Sequence, residues 1–477
     1  MEIISQNYEN LLQKVITDNF STILKESISY NNDVFNYIKI LDTLDNSLCL
    51  IAIKSLTTIF NSIDNGFKNS PERRHKYYIK AHNSRTIMTV FGEVTYHKTI
   101  YENKFTHEFY CFIDEYLGLA KYDYFDPYIK ACILDYSAQY PYSQVAKMMN
   151  DLINKKINIE KPFQIISRQT IRNIILSSRH SKPEIKQLET PESLYIMADE
   201  KFIATQNNNH NDVMVKSIVT FDGRTEENGR IRLKNKHVFA DIDSNCAETS
   251  LDYLYCVYDM DKIKNIYVMG DGAKWIKALT NYYKVNKDTH LTFNLDKYHF
   301  KQAINHITTT REEYIPLRDS LLDLVMNDDK ELFKDTCLSF MDKHKDRTYT
   351  IIAKMEYVIN NWDYIKNLYN QELKCPMESQ ISHNIAALFS ARPKGYSLKS
   401  LKKLIDLRLL YVNKHNIRLL YLNNINKKDI LEFNQEHLSF SIFNHYTTQN
   451  IDKSIIPTNY HEGVHLDNTV FSLNIYN

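Results

Sequence analysis

The chain has 477 residues, 43% of them hydrophobic, which is enough for two or three domains with packed cores. A net charge of +1 excludes a surface that is basic overall, so any nucleic-acid-binding surface must be local. The seven cysteines are odd in number and form no Cys-x-x-Cys pair, which argues against a disulfide framework or a cysteine zinc site and favours a reducing compartment. Because neither a signal-peptide pattern nor a long apolar run occurs, we predict a cytoplasmic protein without a membrane partner.

Residues 1–125 are predicted to form a helical region followed by a β-hairpin. Apolar residues recur at helical spacing up to about residue 70, and strand-forming residues then alternate on both sides of Phe91-Gly92. The hairpin arms interleave cations with tyrosines, a pattern that suits contact with DNA or self-association, although a solvated strand face looks the same. These residues are Arg73, Arg74, Lys76, Lys80, Arg85 and Lys98, with Tyr77, Tyr78, Tyr96 and Tyr101.

Residues 126–180 are predicted to be a helix-turn-helix-like DNA-binding region with an enlarged turn. Two helical segments, SQVAKMMNDLI and SRQTIRNIILSS, flank a polar break, and Ser167 is placed to cap the second helix. The exposed face of that helix would enter a major groove, with Arg168, Gln169 and Arg172 as the contacting residues. Helix pairs without any DNA-binding role are common, and they remain the alternative.

The segment 190–300 is predicted to be the first part of a ribonuclease-H-like core. Its elements follow the order β-β-β-α-β-α-β, which matches three antiparallel strands followed by parallel strands with crossover helices. We assign 301–374 to a helical insertion, 375–420 to a core helix and a basic helix, and 421–477 to a C-terminal tail. The predicted fold class is therefore α/β, a mixed sheet with a helical insertion, preceded by a mainly helical DNA-binding region.

Three carboxylates are predicted to form a catalytic metal site. Asp199 and Asp271 end the apolar runs LYIMAD and IYVMGD, and Glu378 opens the amphipathic segment MESQISHNIAALF. If the two strands are parallel neighbours, both aspartates lie at the sheet edge where ligands bind, and a divalent cation would relieve their repulsion. Such ligands suit two Mg²⁺ or Mn²⁺ ions about 4 Å apart, which serve displacement at phosphorus. Each residue alone is more often a turn or helix-start residue.

Neighbouring residues are predicted to support these carboxylates. A zinc site is disfavoured because two further ligands are not evident nearby, so contact with substrate phosphate or with the metal ligands is preferred over a simple capped histidine. The predicted supporting residues are Asp296, His299 and His383, and for His383 plain packing stays open beside contact with a substrate phosphate. Two of only nine glycines, Gly270 and Gly272, flank Asp271, which indicates a close approach of backbone or ligand beside it.

A basic segment follows the predicted metal site. Between Arg392 and Arg418 there are eight lysines and arginines and one acid, Asp406, on an amphipathic helical pattern. A solvated helix face is the usual reading of such a run, and a track for the DNA backbone is at least as well supported beside a nuclease centre. The predicted DNA contacts are Arg392, Lys394, Lys399, Lys402 and Lys403.

Several motifs, taken in order, resemble the bacterial insertion-sequence transposases of the Mutator-like DDE superfamily, in a branch long catalogued only as an uncharacterised protein family. The motifs are ADEKFIATQ, MGDGAKWIK, LDKYHF and ESQISHNIAALFSARPKGYS. Upstream, RTIMTVFGEVTYHKTIY and FIDEYLGL are also similar to that branch. The resemblance covers roughly residues 70–410.

This resemblance implies cleavage of element ends and strand transfer into target DNA with Mg²⁺, by a ribonuclease-H-like domain. It makes Asp199, Asp271 and Glu378 the first, second and third catalytic carboxylates, and it makes Asp296 and His299 a (Cys or Asp)-x-x-His signature. Expected partners are double-stranded DNA, as terminal inverted repeats and target, and further copies of the chain in a homo-oligomer. Bound to DNA, the protein would associate with the bacterial nucleoid.

The chain departs from the pattern of close relatives directly after the third carboxylate. Ser379 and Gln380 stand where a small residue and then a histidine are expected. Two alternatives to an active transposase therefore stay open. One is a catalytically inactive, transposase-derived DNA-binding protein, and the other is a ribonuclease-H-like nuclease without transfer activity.

Overall fold

The computed structural model describes residues 34–157, 164–206, 212–227, 229–243, 245–370, 382–389 and 395–426, together with Gln13, Thr17, Ser21 and Gln380. The chain divides into two units, Met1–Lys428 and Asp429–Asn477, and the described residues belong to the first. The predicted tail 421–477 lies outside the described residues from position 427 onward.

In the part of the N-terminal region that the structure describes, a long helix precedes a hairpin, as predicted, and most of residues 1–33 lie outside the described residues. Its elements are α1 (Val34–Asn69), α2 (Pro71–Lys76), β1 (Tyr77–Thr89), β2 (Gly92–Asn103), β3 (Phe109–Tyr110) and α3 (Phe112–Tyr116). Strands β1 and β2 are antiparallel, and Thr89 pairs with Gly92 across a two-residue turn. Gly92 has φ +124°, a backbone conformation that other residues rarely adopt.

The hairpin does not present the basic and aromatic surface that its sequence suggested. Tyr96 and Tyr101 are completely buried, because one face of the hairpin packs against α1. Arg85 and Lys98 each lie 2.7 Å from the carboxylate of Asp114 and are mostly buried. For these four residues the interpretation as a DNA surface was wrong, since period-two alternation does not say which face is covered.

Among the residues that the structure describes, one helical segment is long and apolar enough to cross a membrane by length and composition alone. This segment is Leu41–Asn69 of α1, which the sequence analysis did not anticipate. Near its end the buried carboxylate of Asp64 accepts hydrogen bonds from the backbone N–H and the hydroxyl of Thr99. A buried carboxylate bonded to the hairpin ties this part of the helix to the N-terminal fold.

Three helices connect the hairpin to the central sheet: α4 (Pro127–Ser137), α5 (Tyr142–Ile157) and α6 (Arg168–Ser177). Asp126 caps α4 by accepting a hydrogen bond from the Ile129 N–H. Ser167 caps α6, as predicted, and forms a reciprocal capping box with Thr170. These three helices pack on one another around an apolar cluster that includes Ile133 and Ile171.

The central sheet has five strands and both strand directions. Its strands are β4 (Ser193–Ile203), β5 (Val213–Phe221), β8 (His237–Asp241), β9 (Asn265–Gly270) and β10 (His290–Leu295), in the order β10-β9-β4-β5-β8. Strand β9 is parallel to β4 and to β10, whereas β5 is antiparallel to β4 and to β8. The predicted mixed α/β sheet is thereby confirmed.

A small two-stranded ribbon was not predicted. Strands β6 (Gly223–Glu227) and β7 (Arg230–Lys234) pair with each other in antiparallel register beside the central sheet. Their sequence, GRTEENGRIRLK, is mostly polar on both faces, so it lacks the alternation by which a half-buried strand is recognised. The ribbon therefore follows from tertiary context.

Helices cover one face of the sheet, and those after residue 300 make up the segment that was predicted as a helical insertion. They are α7 (Cys246–Val257), α8 (Lys274–Tyr282), α9 (Lys297–Thr308), α10 (Ile315–Met326), α11 (Lys330–Lys343), α12 (Thr348–Asn360) and α13 (Trp362–Asn370). Their apolar residues join the buried side of β9 and β10 in one cluster, which includes Ile266, Phe293 and Val358. The insertion is thus helical up to Asn370, and it packs directly against the parallel end of the sheet.

The last described elements are a π-helical turn (Ser382–Ala386), α14 (Ala387–Phe389), α15 (Leu398–Val412) and α16 (Ile417–Asn426). Helix α15 is a core helix on most of its sides, because Leu401, Leu404, Leu407 and the side chain of Arg408 are all buried. The prediction of a basic amphipathic helix was right only for the few side chains of α15 that face solvent. A charged side chain such as Arg408 can be buried when it has hydrogen-bond partners.

Candidate active site

Two aspartates lie at the same level on neighbouring parallel strands. Strand β4 pairs with β9 so that Tyr195 lies opposite Tyr267 and Met197 lies opposite Met269. Asp199 and Asp271 each come four residues after these tyrosines, and therefore at the same level of the sheet. The condition that the sequence analysis attached to a shared carboxylate site, parallel neighbouring strands, is met. Asp271 directly follows β9, and Asp199 lies two residues beyond the last pair of β4 with β9. The prediction that Asp199 ends its strand was wrong, because β4 stays paired with β5 as far as Ile203. The carboxyl side of a parallel strand pair is where open α/β sheets bind ligands.

The backbone around Asp271 accepts only glycine on either side. A Cβ on Gly270 would lie 2.8 Å from the carbonyl oxygen of Ala198, which belongs to β4. Gly272 has φ +89°, and a Cβ there would lie 2.6 Å from Oδ1 of Asn361. The close approach predicted beside Asp271 is therefore a contact of backbone with backbone on one side and with the insertion on the other.

The electrostatics of Asp199 reflect burial and crowding. Its pKa is raised to about 6, chiefly because the carboxyl is buried and secondarily because of the negative charge of Asp271. The backbone N–H of Glu200, 2.7 Å from Oδ1, and the imidazole of His299 lower the pKa. Since the charges of Asp271 and His299 both change the pKa of Asp199, the three side chains interact electrostatically.

Asp296 and His299 belong to this neighbourhood through strand β10 and helix α9. The N–H of Asp296 donates to the carbonyl of Gly270 at 2.7 Å, and its buried carboxylate caps α9 at Tyr298. His299 Nε2 lies 3.8 Å from Oδ2 of Asp296, and the histidine side chain is 30% exposed. The histidine is thus partly open to solvent and faces two carboxylates, so it can meet an incoming anion.

Sequence reasoning missed a second set of residues beside Asp199. Glu200 projects from the opposite face of β4 and accepts a hydrogen bond from the indole N–H of Trp275, at the start of α8. Lys216 is the cross-strand neighbour of Glu200, and its Nζ lies 5.1 Å from the centre of the Trp275 ring. The signal was present in the motif ADEK, where an acid directly follows the predicted catalytic aspartate.

The helical insertion also contacts the residues around Asp271, and no local sequence pattern predicted this contact. The hydroxyl of Tyr357, on α12, donates to the main-chain carbonyl of Asp271 at 2.6 Å. The Asp271 carboxylate, through Oδ1, accepts a hydrogen bond from the Ala273 N–H at 2.8 Å. Two hydrogen bonds therefore hold the turn at Asp271. One comes from Tyr357 of the insertion, and the other is accepted by the side chain of Asp271 itself.

Several predicted residues fall outside what the structure describes. These are Glu378, Ser379, Arg392 and Lys394. His383 is described by its backbone alone, within the π-helical turn. Gln380 accepts a hydrogen bond from Nζ of Lys236, which precedes β8.

The predicted DNA-contacting residues occupy two different surroundings. Arg168 and Gln169 are exposed at the start of α6, and Arg172 is half-buried one turn on. On α15, Lys399 is exposed, whereas Lys402 forms an ion pair with Asp243 and Lys403 donates to the carbonyl of Ser178. The start of α6 is thus the more open of the two surfaces, since two lysines of α15 already have protein partners.

The described donors fit a hard divalent cation only in part. Two carboxylates in register, one with a raised pKa because of burial and the other's charge, are the oxygen donors that Mg²⁺ and Mn²⁺ prefer. Within the ranges the structure describes, no group of three His, Cys, Asp or Glu side chains could hold a metal ion. A complete site would need a further ligand, and the predicted one, Glu378, lies outside those ranges.

Comparison with known proteins identifies the family. Residues 32–424 match the uncharacterised protein family UPF0236. The UPF0236 protein TTE0610/TTE0881/TTE1053/TTE2432 of Caldanaerobacter subterraneus subsp. tengcongensis is 26% identical over 428 residues, 87% of this chain and 85% of the relative. From the same organism, UPF0236 protein TTE1650/TTE2708 is 26% identical over 428 residues, 87% of this chain and 80% of the relative.

A further relative of that organism carries eleven locus designations in its name, from TTE0033 to TTE2212, and is 26% identical over 428 residues, 87% of this chain and 85% of the relative. These relatives, like the family match, extend over the hairpin, the central sheet and the insertion alike. With this coverage, the chain belongs to the uncharacterised protein family UPF0236.

Proposed function

We propose that the protein is a DNA transposase of an insertion sequence, which cleaves element ends and joins them to target DNA by metal-dependent phosphoryl transfer. The observation that carries the proposal is the pair Asp199 and Asp271, which lie at one level just beyond the paired part of two parallel neighbouring strands. Burial raises the pKa of Asp199, and the charge of Asp271 adds to this effect. Such an arrangement is costly for stability unless the carboxylates bind a cation.

The strand order supports a ribonuclease-H-like core. In chain order, the first three strands of the sheet are antiparallel neighbours, β4 with β5 and β5 with β8. The next two, β9 and β10, continue from the other side of β4 in parallel. This is the arrangement that the sequence analysis expected of a ribonuclease-H-like domain, with the carboxylates on the first and fourth strands.

The residues at the strand ends have distinct tasks in this proposal. Asp199, Asp271 and Glu378 would hold two Mg²⁺ or Mn²⁺ ions. When bound, such ions activate water or a 3′-hydroxyl and stabilise the leaving oxygen in displacement at phosphorus. Asp296 positions α9, and His299, partly exposed beside Asp199, contacts a phosphate of the DNA. His383 is a further candidate for such a contact.

The copy number of relatives supports a mobile element. One relative's name covers eleven loci and another covers four, all in one organism. Related genes at many loci of one genome are what a self-copying DNA element leaves behind, whereas a housekeeping enzyme or a domesticated DNA-binding protein is normally encoded once. The proposal therefore includes double-stranded DNA as partner, as terminal repeats and target, and action in the bacterial cytoplasm at the nucleoid.

DNA contacts are assigned by exposure and by position. The start of α6 carries Arg168 and Gln169 in the open, with Arg172 beside them, and suits specific contact in a major groove. Lys399, Lys402 and Lys403, with Arg392 and Lys394, are the proposed contacts to the DNA backbone. Because transposition joins two element ends, we expect the active form to be a homo-oligomer.

The test uses a labelled duplex with the inverted repeats that flank the gene, incubated with Mg²⁺, with Mn²⁺ or with neither. Wild-type protein is compared with Asp199→Asn, Asp271→Asn and Glu378→Ala, and with Asp288→Asn as an exposed carboxylate control. We expect metal-dependent nicking at the repeat boundary and strand transfer, lost in the first three variants alone. Binding without cleavage would favour an inactive derivative, and cleavage without joining would favour a nuclease. Cleavage by Asp271→Asn would overturn the assignment.

A further inference from the structure

The helical insertion makes a direct contact with the main chain of a proposed catalytic residue. The hydroxyl of Tyr357 donates a 2.6 Å hydrogen bond to the carbonyl of Asp271, and the contact is partly buried. The Tyr357 hydroxyl thus contacts the backbone of Asp271 and not its side chain. The backbone turn from Asp271 to Ala273 determines where the Asp271 carboxylate points. Oδ1 of Asp271 is itself used to hold the Ala273 N–H.

A second residue of the insertion lies against the same turn. Asn361 is 3% exposed, and its Nδ2 donates to the carbonyl of Tyr357 at 2.7 Å. Its Oδ1 accepts no hydrogen bond from the described part of the protein, and it occupies the space where a side chain on Gly272 would begin. Tyr357 and Asn361 therefore contact the turn from one side, as parts of the same helical end.

The insertion is docked on the sheet by contacts that do not involve Tyr357. The side chain of Asn367 donates to the carbonyl of Phe293 on β10 at 3.1 Å. The Tyr364 ring packs edge-on against Phe293 at 4.8 Å, and within the insertion the buried Trp362 donates its indole N–H to Oδ1 of Asp328 at 2.7 Å. Removing the Tyr357 hydroxyl would thus leave α12 and α13 in place and would release only the turn.

We propose that Tyr357 is a positioning residue for the second carboxylate: through its hydroxyl, the insertion sets the direction in which the Asp271 side chain leaves its strand. This rests on the proposed function, in which Asp271 is a metal ligand. Groups that hold a metal ligand in place typically change metal affinity or activity by about 10- to 100-fold when removed. A carboxylate displaced from its position by a fraction of an ångström no longer has the geometry that in-line displacement at phosphorus needs.

The experiment compares Tyr357→Phe with Tyr364→Phe in the full-length protein. Tyr364 is a matched control because it lies in α13, packs edge-on against Phe293 at 4.8 Å, and has Lys277 over its ring at 5.0 Å. Two readouts need no DNA: hydrogen exchange of the Ala273 amide in metal-free protein, and Mn²⁺ affinity by calorimetry. Single-turnover cleavage of the element end is the third.

In Tyr357→Phe we expect faster exchange of the Ala273 amide, and both Mn²⁺ affinity and cleavage rate lower by roughly tenfold. DNA-end binding should be unchanged, and Tyr364→Phe should match wild type. Wild-type exchange and Mn²⁺ affinity in Tyr357→Phe would overturn the inference. If exchange and Mn²⁺ affinity change but the wild-type protein cuts no DNA, the positioning role stands and the proposed transposase function fails. If wild type binds no Mn²⁺, exchange alone decides the positioning role.

Discussion

The rings of Tyr195 and Tyr267 stack with their centres 5.2 Å apart, on the neighbouring parallel strands β4 and β9. This contact fixes the register of the two strands, because a shift by one residue would send one ring to the opposite face. Each ring precedes a proposed catalytic aspartate by four residues. The stacked pair therefore places Asp199 and Asp271 at one level, although neither tyrosine touches substrate.

Substituting Asp199 by asparagine should stabilise the metal-free protein while abolishing its proposed activity. The folded pKa of about 6 lies above the ordinary value of 3.8, so the folded state binds more protons between about pH 4 and pH 6. The stability of wild type should therefore fall as pH rises through this window. At pH 8, Asp199→Asn should be more stable by about 1–3 kcal/mol.

Urea unfolding at pH 4 and pH 8, without and with Mn²⁺, measures this difference. The advantage of Asp199→Asn should vanish at pH 4, where the wild-type carboxyl is protonated. Saturating Mn²⁺ should stabilise wild type and leave the variant unchanged. A variant that is less stable than wild type at pH 8 would contradict the conclusion that the ionised Asp199 carboxylate destabilises the metal-free fold.

Replacing Gly272 by alanine should disrupt the turn beside Asp271. The new Cβ would lie 2.6 Å from Oδ1 of Asn361, at a backbone φ of +89°. We expect a loss of about 1–3 kcal/mol and little cleavage activity. Adding Asn361→Ala should recover part of the stability, because it removes the clash and leaves the strain.

Gly66→Ala is the matched control for this substitution. Gly66 lies within the helix α1, and nothing comes within 4 Å of the position of its Cβ. Alanine there should stabilise the protein by about 0.5–1 kcal/mol. Thermal melting of the single and double variants tests both statements, and equal effects of Gly66→Ala and Gly272→Ala would show that the turn has no special requirement.

Arg408 should be important for stability although it lies on a predicted basic helix. It is 7% exposed, its Nε donates to the carbonyl of Asn384 at 2.6 Å, and a second nitrogen donates to Ala138 at 3.1 Å. Because it joins the π-helical turn to the end of α4, Arg408→Leu should cost about 2–4 kcal/mol. Lys262→Ala, which removes an exposed ion pair with Asp259, should leave the stability nearly unchanged. Denaturant titrations that rank the two variants the other way would reject this role.

The exposed start of α6 should decide DNA affinity without affecting the chemistry. Arg168→Ala and Gln169→Ala should each weaken binding to the terminal repeat by about 5- to 100-fold, since a base contact is worth about 1–3 kcal/mol. Lys343→Ala, on the exposed face of α11, is the charge control. Fluorescence anisotropy over a range of salt concentrations makes the measurement. Equal losses for specific and random DNA would assign Arg168 to the phosphate backbone instead.

Elements with a strong apolar pattern were predictable from the amino-acid sequence. Alternation on both sides of Phe91-Gly92 predicted the hairpin, because a two-residue turn joins strands that must pair locally. Buried apolar runs that lead into Asp199 and Asp271 predicted the two parallel strands, since water-avoiding runs of that length form the centre of a sheet. They did not predict that β4 continues past Asp199 to Ile203. Scarce glycines marked the turn at Asp271 for the same local, steric reason.

Only the tertiary structure decided which residues far apart in the chain meet. Tyr357 is 86 residues from Asp271, and Arg408 is 270 residues from Ala138, so no local period could reveal either contact. It also decided which face of each element is covered: Arg85 and Arg408 look like surface cations in the sequence, yet both are buried beside oxygen acceptors. Burial of a charge depends on partners that packing alone supplies, and this is why the two neighbouring aspartates were predictable while the residues that support them were not.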